Sequence, residues 1–197
     1  MTDALFAGLD PDPATRDRLR ARLVRDAAAA DLLDVVVRTV DSPVGPLLLA
    51  GTDRGLVKVA FAREDHDRVL ATLATEIGPR LLADPAGLDD VARQLDQYFT
   101  GARTSFDLDV DLRLAHGFRR DVVAHLPAIA YGHTASYAEV ARAVGRPRAS
   151  RAVGTACARN PLPLVVPCHR VVRSDGTPGQ YGGGERAKRW LLDLEAG

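Results

Sequence analysis

Short apolar runs separated by turn residues dominate the stretch from Val35 to Phe61. Val35–Val40 is β-branched, Ser42-Pro43-Val44-Gly45-Pro46 is turn chemistry, and residues 47–50 resume the apolar run. Asp53-Arg54-Gly55 turns again, and residues 56–61 alternate. Runs of this length between Gly, Pro and Asp punctuation predict a three-stranded antiparallel meander. On either side the period lengthens to that of a helix. Asp12-Pro13 reads as an N-cap followed by proline at the first helical position. Leu19, Leu23, Ala27 and Ala30 then recur at helical spacing over 14–33, with a charged outer face. Residues 65–77 and 88–99 carry the same period, the second stopped by Gly101. Residues 105–112 alternate Phe106, Leu108, Val110 and Leu112 with acids, as a further strand or an extended linker would.

From His116 the pattern is mostly helical. A helix over 118–126 meets Pro127, and 128–134 reads as a loop. Ser136-Tyr137-Ala138-Glu139 is a capping box that opens a helix over 137–144. Gly145-Arg146-Pro147 breaks it, and a second helix covers 149–158; two short helices about a glycine turn form a helix-turn-helix pattern. The second helix is nearly bare of bulk, with Arg151 its one long central side chain and Cys157 reading as a buried structural residue. Three prolines in Pro161-Leu162-Pro163-Leu164-Val165-Val166-Pro167 exclude helix and predict a stiff loop with a buried extended piece at 164–166. Val171-Val172-Arg173 reads as a short strand, Tyr181-Gly182-Gly183-Gly184 as a flexible loop, and 185–195 as the last helix.

The composition is that of a globular chain, 46% hydrophobic and 26% charged, with no apolar run long enough to span a bilayer. Met1-Thr2-Asp3-Ala4 lacks the features of a signal peptide, so a cytoplasmic location is expected. Two cysteines are too few for a disulfide framework or a cysteine-based zinc site. The zero net charge hides a split. Residues 1–112 hold 13 Lys+Arg against 20 Asp+Glu, and 113–197 hold 13 against 6. A basic C-terminal half facing nucleic acid and two halves attracting one another both account for that. The division expected is an N-terminal helical extension at 1–34, an α/β domain at 35–112 and a basic C-terminal domain at 113–197 able to face nucleic acid, which the resemblance given below makes the DNA-binding and active-site domain.

The candidate chemistry sits at Pro167-Cys168-His169-Arg170. A free cysteine is by default a small buried hydrophobe. Beside a histidine base and a cation, however, its pKa is expected to fall below the free value of about 8.5, which would make a nucleophile. The N-terminal half shows no catalytic constellation, and its single histidine, His66, reads as solvent-facing.

Taken together, these motifs carry a resemblance. Ser136-Tyr137, Ser150-Arg151-Ala152-Val153-Gly154, Asn160-Pro161, Val166-Pro167-Cys168-His169-Arg170-Val171, Gly179-Gln180-Tyr181 and Lys188-Arg189-Trp190-Leu191-Leu192 with Glu195 resemble the O6-alkylguanine-DNA alkyltransferases in order and spacing. That family is also called the methylated-DNA–protein-cysteine methyltransferases. The resemblance implies an α+β chain: a ribonuclease H-like N-terminal domain and a mostly helical C-terminal domain with a winged helix-turn-helix-like element.

It further implies repair by direct reversal, the alkyl group of a flipped O6-alkylguanine in double-stranded DNA, with O4-methylthymine as a further candidate substrate, moving irreversibly to Cys168. His169 would be the base, Glu195 would orient it, Asn160 would organise the same network and Tyr137 would protonate the leaving guanine. Arg151 would replace the extruded nucleotide while Ala149, Ser150, Ala152, Gly154, Thr155 and Arg148 face the minor groove. Tyr137, Val171, Tyr181 and Gly182 would line the base pocket. No cofactor, metal or membrane is implied, and the expected state is a monomer. Gly182 stands where some relatives have serine, the zinc-binding cysteines of some relatives are missing, and the N-terminal helix has no counterpart. The alternatives are a non-catalytic reader of alkylated DNA, a helix-turn-helix regulator and, more remotely, a cysteine hydrolase.

Overall fold

The structure, a computed structural model, describes residues 12–84 and 86–197; the reading of Met1 to Ala4 lies outside them. Strand β1 (Val35–Val40) pairs antiparallel with β2 (Leu47–Thr52), and β2 with β3 (Gly55–Phe61), which is the expected meander. Gly55 makes the second turn at φ 120°, and a Cβ there would lie 2.3 Å from the Asp109 carbonyl oxygen. Helix α2 (His66–Glu76) then crosses to a fourth strand, β4 (Leu81–Ala83), which joins β1 in parallel and sets the order β3-β2-β1-β4. Three residues are too few to show a period, so the sequence pattern misses this strand.

Both faces of the sheet are covered, which is why its strands read as nearly continuous apolar runs. Leu48 and Ala50 of β2 join Val35, Val57 and Ala60 beneath Val69 and Leu73 of α2. Leu47 and Leu49 point the other way, toward Leu56, Val59, Phe61 and helix α3 (Asp89–Phe99). That second core continues into the C-terminal half. It takes in Val122 and Val123 of α4 (Phe118–His125), Val140 of α5 (Tyr137–Ala143), Val153 and Cys157 of α6 (Ser150–Ala158) and Leu191 of α7 (Gly184–Ala196). One apolar interior therefore joins the two halves of the chain, and the residues of the candidate site lie within it.

Several local expectations change. Helix α1 (Pro13–Ala29) is capped by Asp12, whose Oδ1 accepts the Thr15 N–H at 3.0 Å. Its Leu19 and Leu23 are 53% and 55% exposed, so their spacing marks no buried stripe among the described residues. Residues 105–112 are an extended linker with one bridge, Val110 to Leu56, while Phe106 and Leu108 pack on the shared core. His66, at the start of α2, is half-buried with Nε2 enclosed and lacking a partner, rather than solvent-facing.

The capping box forms as read: Ser136 Oγ accepts the Glu139 N–H at 3.2 Å and the Glu139 carboxylate accepts the Ser136 N–H at 2.6 Å. Gly145, at φ 71°, ends α5, and α6 packs across α5 and α4. A parallel pair, β5 (Ala135–Ser136) with β6 (Val171–Val172), ties the start of α5 to the chain just after Cys168.

Candidate active site

The proline-rich segment is a turn rather than the extended piece the prolines suggested. Leu164 takes φ 74°, and the Val166 N–H reaches back to the Leu162 carbonyl at 2.8 Å. Proline excludes helix, but tertiary ties choose the shape. Pro161 offers its carbonyl to the Val59 N–H of β3 at 2.9 Å. The buried Asn160 side chain spans the loop, accepting the Leu162 N–H at 3.0 Å and donating to the Val166 carbonyl at 2.9 Å. Strain at a non-glycine left-handed residue persists only where the surroundings enforce it, as these do. The loop delivers Cys168 and His169 into a single 3₁₀ turn, Cys168–Arg170, where they are 1% and 0% exposed.

Glu195 is the hub behind that turn. Its Oε1 accepts the Tyr98 hydroxyl at 2.6 Å, His169 Nε2–H at 2.8 Å and Arg170 Nη2 at 3.0 Å. Its Oε2 accepts Arg170 Nε at 2.8 Å and the Gly132 N–H at 3.3 Å. Arg170 also donates to the Ile129 carbonyl at 2.6 Å. A carboxylate near a helix C-terminus runs against the dipole. Here the donors outweigh that and burial, and hold Glu195 down at about 2, with His169 and Arg170 the main partners. Because Glu195 is ionised, Nε2 of His169 must carry the hydrogen, and Nδ1, buried with no protein partner, keeps its lone pair. Burial lowers the His169 pKa, with Arg170 and Lys188 opposing the pull of Glu195.

The thiols follow burial first. Cys157 is pushed well above its usual range by desolvation, as a structural cysteine should be. Cys168 is pushed up to about 11 by desolvation, against help from Asn160 and Lys188. The expectation that Arg170 and His169 lower the thiol is thus corrected: the guanidinium turns onto Glu195, and the low dielectric around the sulfur wins. Lys188 is fully buried, donating to the Val171 carbonyl at 2.5 Å and lying 5.9 Å from the Tyr137 ring centroid.

The other predicted residues fall into two groups. Tyr137 begins α5 and is held up at about 12 by burial, with Gly179 so close that a Cβ would sit 2.1 Å from its hydroxyl. Val171 and Tyr181 are buried and Gly182 is half-buried; the Tyr181 ring meets Phe61 edge-on at 5.4 Å, and its hydroxyl has no partner. Arg148, Arg151, Ala152 and Thr155 are exposed, Ala149, Ser150 and Gly154 half-buried, while Val153, Ala156 and Cys157 face inward. That makes one slim outward face with arginine at its N-terminal end.

Sequence reasoning missed Tyr98, which comes from the half expected to contribute nothing to the site, and the burial of Lys188. Lys188 lies within a quoted motif, a usable signal; Tyr98 meets its partners across the fold and has no local one. Among the described residues, no group of three or more His, Cys, Asp or Glu is arranged to hold a metal ion, and no helix is long and apolar enough to cross a membrane.

Comparison with known proteins agrees with this arrangement. Residues 35–112 match the 6-O-methylguanine DNA methyltransferase, ribonuclease-like domain, and residues 117–197 the 6-O-methylguanine DNA methyltransferase, DNA binding domain. A methylated-DNA–protein-cysteine methyltransferase of Mycobacterium bovis is 41% identical over 80% of this chain and 90% of its own length. One from Rattus norvegicus is 33% identical over 84% of each. The crystal structure of Mycobacterium tuberculosis OGT in complex with DNA superposes with TM-score 0.71 at 39% identity, covering 82% of this chain and 92% of that one. These likenesses favour alkyl transfer over recognition alone. With both parts of the fold, the cysteine turn and the relatives in agreement, the chain belongs to the 6-O-methylguanine DNA methyltransferase family, enzymes that repair DNA by alkyl transfer to a cysteine of the protein.

Proposed function

We propose that Cys168 is the acceptor and that each molecule is used once. In this reading, duplex DNA carrying O6-alkylguanine meets α6 through its minor groove, and the damaged base turns out of the stack, since O6 is beyond a thiolate's reach inside the duplex. Arg151 takes the vacated place. Ala149, Ser150, Ala152, Gly154 and Thr155 permit close approach, and Arg148 lies toward the phosphates. Backbone groups at Cys168 and Val171 read the base edge, and the Tyr181-Gly182 loop covers it, with glycine at 182 leaving room for bulkier adducts.

The thiol proton passes through a water to His169 Nδ1, and Sγ bonds to the alkyl carbon. The carbon–O6 bond breaks with its electron pair going to guanine, which takes a proton from Tyr137. A hydroxyl held at about 12 keeps its proton at neutral pH and so can give it. The products are restored guanine and a thioether, which water does not readily cleave, so no cofactor enters and no second round follows. Glu195 and Asn160 hold the base and the loop. The protein acts as a monomer in the cytoplasm, where the unpaired Cys157 and Cys168 stay reduced.

The observation that carries this reading is the paired imidazole. Nε2 of His169 is committed to Glu195, and Nδ1 is left buried, with its lone pair and without a protein partner, in the turn that holds the thiol. The test mixes the protein with a duplex containing one O6-methylguanine. Loss of the lesion should saturate at one per chain, and Cys168→Ser should bind the duplex and remove nothing. Continued turnover, or repair by the serine variant, would overturn the proposal.

A further inference from the structure

We infer that Tyr98 is a positioning residue of this site, its hydroxyl keeping His169 neutral with the hydrogen on Nε2 and thereby reserving Nδ1 for the thiol. The inference rests on the reading of Cys168 and His169 given above. Tyr98 belongs to α3 of the N-terminal half and is 0% exposed. Its hydroxyl makes two contacts with different effects, one on the tautomer of His169 and the stronger one, at 2.6 Å, on the charge of Glu195. The O–H donates to Glu195 Oε1 at 2.6 Å, and the oxygen then presents its lone pairs 3.2 Å from His169 Nε2. An acceptor there favours hydrogen on Nε2. A donor on Glu195 takes up part of the negative charge that would otherwise stabilise the imidazolium.

The surroundings make this balance consequential. Facing His169 are Glu195 and Lys188 from α7, Arg170 from the same turn, Tyr98 from α3, Tyr181 from the covering loop and Cys168 itself. Glu195 is the one anion among them and the main force toward a charged imidazole. Tyr98 and Arg170 occupy its oxygens. Burial also keeps the Tyr98 phenol well above its usual range, so it remains a donor at any pH where the fold persists. Its ring is anchored independently, against Phe99, Phe106 and Tyr131 at 5.7, 5.3 and 6.2 Å, so the hydroxyl can be removed with the packing kept.

The test uses the full chain. Tyr98→Phe is compared with the unaltered protein for single-round methyl-transfer rate as a function of pH, duplex affinity, melting temperature and the nitrogen-15 shifts of His169. Losing one hydrogen bond to the carboxylate should strengthen its hold on the imidazolium. The acid limb of the rate profile should then move up by about one pH unit, and transfer on that limb should slow about tenfold. Duplex affinity should stay unchanged. Where the phenylalanine variant folds poorly, 3,5-difluorotyrosine at position 98, a stronger donor, should move the acid limb the other way. An acid limb and His169 shifts identical in variant and unaltered protein would assign Tyr98 to packing alone and overturn the inference. Failure of the unaltered protein to transfer methyl to Cys168 would instead defeat the reading beneath it.

Discussion

Replacing Glu195 by glutamine tests the hub with almost no change of shape. The carboxylate is held at about 2 instead of 4.5, which corresponds to at most about 3 kcal/mol of folding free energy at neutral pH. Solvent screening near the end of α7 trims that figure, while leaving the buried Arg170 guanidinium with a neutral partner adds to the loss. A net destabilisation of about 3 kcal/mol is expected, lowering the melting temperature by about 6–12 °C for a chain of this size. The pH dependence supplies the sign. A depressed carboxyl contributes in full above its unfolded value near 4.5, and that contribution is lost as pH falls through about 2. The gap between the two proteins in urea denaturation should therefore be flat from about pH 7 to 5 and narrow to about half near pH 3. Methyl transfer should fall about 100-fold, because glutamine cannot stabilise the imidazolium. A gap below about 1 kcal/mol at pH 7, or one that does not narrow in acid, would refute the reasoning.

Asn160→Ala should cost about 2 kcal/mol and slow transfer, since it strands the Leu162 N–H and the Val166 carbonyl inside the loop; denaturation and single-round kinetics report both. Gly179→Ala places a methyl group where the Tyr137 hydroxyl now stands, so transfer should slow through displacement of that tyrosine, with about 1–3 kcal/mol of destabilisation at most. Lys188→Met removes the cation that favours the Cys168 thiolate, so the thiol should titrate above its present value of about 11, as followed by thiolate absorbance. Stability should change little in that variant, because relief of the buried charge offsets the lost hydrogen bond to the Val171 carbonyl.

What could be read in the chain, and what could not, follows the range of the forces. The three meander strands, the Ser136–Glu139 capping box and the helix pair at α5 and α6 are local patterns, and each is present. Motif order singles out Cys168, His169 and Glu195 as candidates, and the structure brings the histidine and the glutamate into contact. Strand β4 escaped because three residues hold no period. The turn at Leu164 escaped because its shape is set by Asn160 and by Val59 of another strand. Tyr98 lies 71 positions from His169 in sequence, and nothing near it announces a partner. The thiol was misjudged for a physical reason: neighbouring cations suggest a low pKa, but only the fold shows that Arg170 is turned onto Glu195 and that the sulfur is buried.

Intact-mass analysis followed by peptide mapping, after exposure to a duplex with a single O6-methylguanine, addresses the acceptor itself. The account predicts one added methyl per chain, on the peptide that contains Cys168 and on no other. Label on Cys157, or a repaired duplex with unaltered protein mass, would contradict it.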